Sequence, residues 1–169
     1  MSGKCAATGK SVGRLLPVLL LVALCLPVRV LEVAVEGSPP AGRMWLRSDV
    51  SVVVGYVHSV ERTWVEETYV AGRDGLHLTM MRWQSFSAGL PDEYDSCVDG
   101  FYVKGLDVHM GRTIDYWFLP LNQAEVSVGG VPVFRGPEQP SRLVVRLRRL
   151  PVVVRVVDWL GAQFATRSG

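Results

Sequence analysis

From Leu31 onward the chain is a succession of short Val-rich runs in which apolar and polar positions alternate, interrupted by clusters of turn residues. A period of two marks a strand with one buried face. Ser51 to Val60 alternates throughout, with Val52, Val54, Tyr56, His58 and Val60 on one side, and reads as one strand. Glu61 to Val70 and Leu76 to Trp83 read as a hairpin, because the connection Ala71-Gly72-Arg73-Asp74-Gly75 carries an Asp-Gly step. Upstream, Leu31 to Val35 and Arg43 to Leu46 are strands flanking the loop Glu36 to Gly42. Downstream, strands are expected at Phe101 to Val108, Thr113 to Phe118, Glu125 to Val128, Val131 to Phe134 and Leu143 to Leu147, with Gly129-Gly130 as a compact hairpin turn. About nine short strands with few helical windows predict an all-β fold, a single β-sandwich or partly open barrel.

The two ends depart from this pattern. Lys4, Lys10 and Arg14 precede an uncharged apolar run, Leu15 to Val28. A basic flank of this kind stays on the cytoplasmic side, so the remainder of the chain is delivered across the membrane. The run is shorter than the roughly 20 residues that span a bilayer, as in a signal-peptide core. No small-x-small cleavage site succeeds it, however, and Leu15 to Val35 would serve as a poor span if Arg29 and Glu32 snorkel. Residues 1–30 are thus a signal peptide or a membrane anchor, and residues 31–169 an extracytoplasmic β domain. The expected location is the cell membrane, single-pass with the domain outside the cytoplasm, or a secreted or periplasmic one after cleavage. At the other end, Leu143, Val145 and Leu147 point one way and Arg142, Arg146 and Arg148 the other. Pro151 then opens a short C-terminal helix whose apolar positions Val153, Val156, Val157, Leu160 and Phe164 fall at helical spacing. Such a stripe either packs on the sheet or lies in a membrane interface with Trp159 at headgroup level.

Charge changes meaning once the first segment is set aside. Three of the 18 basic residues and none of the 16 acidic ones precede the apolar run, which leaves 15 against 16 beyond it. A nearly neutral domain gives no case for nucleic acid. Only Cys97 lies in the exported part, since Cys5 and Cys25 belong to the first segment, so neither an internal disulfide nor a cysteine metal cage is expected there.

Two stretches carry candidate chemistry. His58-Ser59-Val60-Glu61 to Glu67 places one imidazole near Glu61, Glu66 and Glu67, a group suited to a divalent metal or to acid–base work if the strands converge. No His-x-x-x-His or comparable ligand pair exists, and His77 and His109 fall in other strands, so neither a metal nor a cofactor is predicted. The second stretch, Ser85 to Gly100, contains the turn Gly89-Leu90-Pro91 followed by Asp92, Glu93, Asp95 and Asp99. Calcium-loop order is absent because Tyr94 stands where a third-position ligand belongs, and Ser87 lacks a nucleophile elbow. The five tryptophans are expected to be mainly core or rim packing.

The order Tyr56-x-His58-Ser59-Val60-Glu61, then Val65-Glu66-Glu67, then Phe86-Ser87-Ala88-Gly89-Leu90-Pro91, then Asp99-Gly100, resembles the bacterial family known as domain of unknown function 1850. The likeness runs from about Leu31 to Val133. It implies a small protein with an N-terminal membrane segment, encoded near tripartite periplasmic solute transporters, and it brings no established activity. Where the family tends to have Gly-Ala-Gly-Leu-Pro, this chain has Ser87 in the first place, which bears on the turn if that glycine supplies a positive φ. The resulting expectation is a membrane-tethered extracytoplasmic accessory or binding module, with His58, Ser59, Glu61, Glu66, Gly89, Leu90 and Pro91 as binding or interface residues. Its partners would be transporter subunits, and the membrane through the N-terminal segment and through Pro151 to Phe164. The alternatives are a structural envelope protein and a metal-dependent hydrolase using His58 and Glu66.

Overall fold

A computed structural model describes residues 12–86 and 89–165, with side chains over residues 16–86 and 89–159. The chain divides into two compact units, Arg29–Arg148 and a second comprising the described parts of Met1–Val28 and Arg149–Gly169.

The strands are β1 (Pro27–Val35), β2 (Pro40–Leu46), β3 (Val50–Val57), β4 (Trp64–Ala71), β5 (Leu76–Trp83), β6 (Ser96–Val98), β7 (Phe101–His109), β8 (Thr113–Phe118), β9 (Glu125–Val128), β10 (Val131–Arg135) and β11 (Ser141–Pro151). They form two antiparallel sheets, β2-β1-β11-β8 and β10-β9-β3-β4-β5-β7-β6. Of the two expected architectures, the sandwich is the one observed. Its core is made where alternating apolar residues of both sheets meet: Leu31 and Val33 of β1, Leu143, Val145 and Leu147 of β11, and Val52, Val54 and Tyr69 of β3 and β4. Each fully buried Val or Leu side chain contributes about 1.5–3 kcal/mol, and these alternating strands supply them at every second position.

The small sheet leaves part of the large one to be covered by a loop. Val65, Met81 and Trp83 form a second buried cluster, with Leu78, Leu90 and Tyr102 packed on it. Phe86 and Tyr94 pack at a tilt against Tyr102 at ring-centroid distances of 4.5 and 4.8 Å. The connection between β5 and β6 is therefore a hydrophobic cover. Its carboxylates turn toward β7: Asp95 accepts a bond from the Gly105 N–H at 2.7 Å, and Glu93 lies 3.3 Å from the Lys104 amine.

Three local expectations are corrected. The alternating run from Ser51 does not continue to Val60, because the strand ends at Val57 and His58 to Arg62 form a tight turn. There the Arg62 N–H donates to the His58 carbonyl at 3.0 Å, Arg62 takes a φ of 59°, and Val60 is exposed. β6 was not foreseen, being three exposed residues between acidic neighbours. Leu15 to Val35 is not one helical span, since α1 (Val12–Cys25) ends before Pro27 and the β-branched run beyond it pairs in the sheet. The Gly129-Gly130 turn is present as expected, with φ of 57° and 79°.

In the second unit, α1 packs against α2 (Val152–Ala165), and the Val152 N–H donates to the Leu26 carbonyl at 3.1 Å. Val153, Val156, Val157 and Trp159 of α2 are exposed; Leu160 and Phe164 lie outside the described side chains. Among the described residues, no helix is long and apolar enough to cross a membrane.

Candidate functional site

Strand parity decides which carboxylate goes where. On β4, Val65, Glu67, Tyr69 and Ala71 share the inner face of the large sheet, whereas Glu66 is on the opposite face. Glu67 is thereby carried into the sandwich beside three phenols. Oε1 accepts a hydrogen bond from Tyr56 of β3 at 2.9 Å; Oε2 accepts from Tyr116 of β8 at 2.6 Å and from Tyr69. The Tyr69 and Tyr116 oxygens approach to 2.5 Å because both converge on the same carboxylate oxygen. Phe118 closes the cluster, stacked on Tyr116 with centroids 5.3 Å apart.

Burial raises the pKa of all three phenols well above the ordinary phenol value, and the Glu67 charge raises them further. They remain proton donors to Glu67. The group joins the two sheets, since Tyr116 belongs to the small sheet and the other members to the large one.

At the same end, a cleft of about 350 Å³ is lined by Tyr56, His58, Ser59, Tyr116, Trp117 and Asn122. Asn122 is placed by a 3₁₀ turn, Pro120–Asn122, and ties the end of β3 down by donating from Nδ2 to the Val57 carbonyl at 2.8 Å. His58 Nδ1 is buried without a hydrogen-bond partner, and Trp117 stands 66% exposed at the rim. The cleft therefore offers an aromatic wall, the Ser59 hydroxyl and an imidazole, a combination suited to holding a small polar ligand.

The expected site residues are only partly gathered. His58 and Ser59 share this cleft, and Glu61 is exposed in the adjoining turn. Glu66 lines a different pocket on the outer face of the large sheet, where it accepts from Trp64 Nε1 at 3.1 Å and pairs with Arg82 at 3.0 Å. The arrangement does not join His58 and Glu66 in one centre. Leu90 packs on the second core cluster, half-buried Pro91 comes next, and Gly89 takes a φ of 88°. Ser87 lies outside the described residues.

Sequence reasoning missed two groupings. The partnership of Glu67 with Tyr69 and Tyr116 was hidden by Glu66, chemically identical and one residue away; the only signal was parity with buried Val65. The second lies at the far end of the hairpin. His77 of β5 stands opposite His109 of β7, their rings 4.8 Å apart, and Asp74 in the β4–β5 turn reaches His77 Nε2 at 3.1 Å. That hydrogen bond holds the Asp74 carboxyl below the usual carboxylate range. The two histidines were expected in strands other than that of His58, and those strands, β5 and β7, are neighbours whose pairing brings the two rings together.

Residues 52–131 match the family model described as "Domain of unknown function (DUF1850)". The matched stretch contains the Glu67 cluster, the His58 cleft and the Asp74–His77–His109 group, and it supports the family resemblance. Neither the curated proteins nor the solved structures give a match to this chain.

Proposed function

We propose that this protein is an extracytoplasmic binding module tethered to a membrane by its paired end helices, acting as an accessory to a solute transporter. The observation that carries the tether is exposure. Leu16, Val18, Leu19, Leu20, Leu21 and Val22 of α1 are each between 55% and 70% exposed, and α2 adds Val157 and Trp159 at 62% and 60%. Apolar surface this continuous is costly in water, at about 25 cal/mol per Å². Each helix has 14 residues, about 21 Å of rise, against the roughly 30 Å of a hydrocarbon core. The pair is suited to lying within the interface, with Trp159 at headgroup depth and Arg149 and Arg155 near lipid phosphates. The pairing of α1 with α2 supports retention of the N-terminal segment.

The binding role rests on the His58–Trp117 cleft, and the transporter partner on the family resemblance. The test is membrane flotation of full-length chains, with a pull-down from gently solubilised membranes as its second stage. Wild type is expected to float, and the double variants Leu19→Asp/Leu20→Asp and Val157→Asp/Trp159→Asp to remain soluble. Equal flotation by both variants would overturn the tether. Wild type is expected to recover transporter subunits that folded His58→Ala and Trp117→Ala variants lose; unchanged recovery would remove the cleft from the interface.

A further inference from the structure

We propose that Asp74, His77 and His109 form a binding site for a divalent transition-metal ion of the zinc class, clamping the tip of the β4–β5 hairpin to the end of β7. The donor atoms of these three side chains all lie within 4.8 Å of one another. Two imidazole nitrogens and a carboxylate oxygen are the ligand set of many zinc and related centres, and imidazole favours such ions over calcium or magnesium. Metal–ligand bonds of about 2.0–2.2 Å place tetrahedral donors about 3.4 Å apart, and Asp74 Oδ1 already sits 3.1 Å from His77 Nε2. The remaining closure falls to His109 and Asp74, both of which are exposed. Three protein ligands leave a fourth position for water or for a ligand of the ion.

Two further features favour occupancy over a chance cluster. The other nitrogen of His77, Nδ1, faces Asp107 Oδ1 at 3.9 Å, so with Nε2 on the metal the Nδ1–H has a carboxylate toward which to orient. A carboxylate behind a ligating histidine fixes its tautomer and strengthens it as a ligand. The turn also makes room for the second imidazole. A Cβ at Gly75 would stand 2.6 Å from His109 Nε2 and 2.4 Å from the Gly111 carbonyl oxygen, so a side chain there would push His109 away. Backbone bonds hold the two segments in this proximity: the Leu76 N–H donates to the Gly111 carbonyl at 2.6 Å, and the Met110 N–H to the Leu76 carbonyl at 2.8 Å.

The test is zinc binding by the purified, untagged full-length chain, stripped with chelator and dialysed against zinc, with bound metal read by mass spectrometry and affinity by calorimetry. Cobalt substitution, read as a visible absorption band, reports coordination by protein ligands. Wild type is expected to hold one zinc per chain. His77→Ala and His109→Ala, verified as folded by circular dichroism, should each lose at least tenfold in affinity, and Glu138→Gln, at an exposed position between β10 and β11, should lose none. Asp107→Asn should weaken binding by about tenfold or more if it supports His77 from behind. Absence of bound zinc in wild type, or binding that survives unchanged in both His77→Ala and His109→Ala, would overturn the proposal.

Discussion

Two polar groups stand at different places on one hairpin, within β4 and at its turn, and answer to different physics. At the first, half-buried Glu67 lies between the sheets with both carboxylate oxygens committed to phenols. At the other, Asp74 and His109 are exposed, and His77 directs a ring nitrogen toward each of two carboxylates. A buried ionisable group must be satisfied by its own protein, so a saturated cluster reports on folding. Donor atoms that converge at a surface do so without that compulsion, and the convergence invites a ligand.

Substitutions at the two places should separate these roles. The largest effect is expected from Glu67→Ala, which deprives buried Tyr69 and half-buried Tyr56 and Tyr116 of their common acceptor and should cost about 3 kcal/mol, measured by denaturant unfolding. A loss under about 1 kcal/mol would show that water replaces the carboxylate and that this end of the sandwich is open to solvent. Next, zinc at a hundredfold above its dissociation constant should stabilise wild type by about 2.7 kcal/mol and leave His77→Ala unmoved in thermal melts. Tyr116→Phe, which removes one donor but keeps the ring, should cost about 1–2 kcal/mol. Asp74→Asn in metal-free protein should have the smallest effect, lowering the unfolding midpoint by less than Tyr116→Phe does, because the bond it loses to His77 is exposed to solvent.

The same contrast predicts a pH dependence. The folded-state pKa values of Tyr56, Tyr69 and Tyr116 are raised above the unfolded value of about 10, so the folded chain holds more protons in that range. Their stabilising contribution is fully present below a pH of about 10 and declines as the pH climbs past it. Ultraviolet titration should find these three phenols un-ionised until the chain unfolds, whereas early ionisation of all five tyrosines would contradict the burial.

The strands were legible to the extent that each alternates by itself. Thr113–Phe118 and Glu125–Val128 were readable end to end, because apolar periodicity and bounding turn residues agree there. His58 to Val60 extended the alternation of β3 and misled, since a period of two says nothing about a chain that turns at Arg62 in a left-handed conformation. The site residues were harder for a related reason. Glu67 meets Tyr116 across the sandwich, and His77 meets His109 only through a register that shifts between Leu78 and Met80. Pairings of that kind are set by which strands become neighbours, and the local pattern carries no record of it.

The position of β11 bears on how the chain is made. It lies between β1 and β8, so the small sheet remains two disconnected pieces, β2-β1 and β8, until the last strand arrives. During vectorial synthesis the consecutive hairpins of β3, β4 and β5 can form early, but their inner face, with Tyr69 and Glu67, stays uncovered. A nascent chain in this state carries an open apolar surface, which is covered only when Ser141–Pro151 has emerged to complete the small sheet.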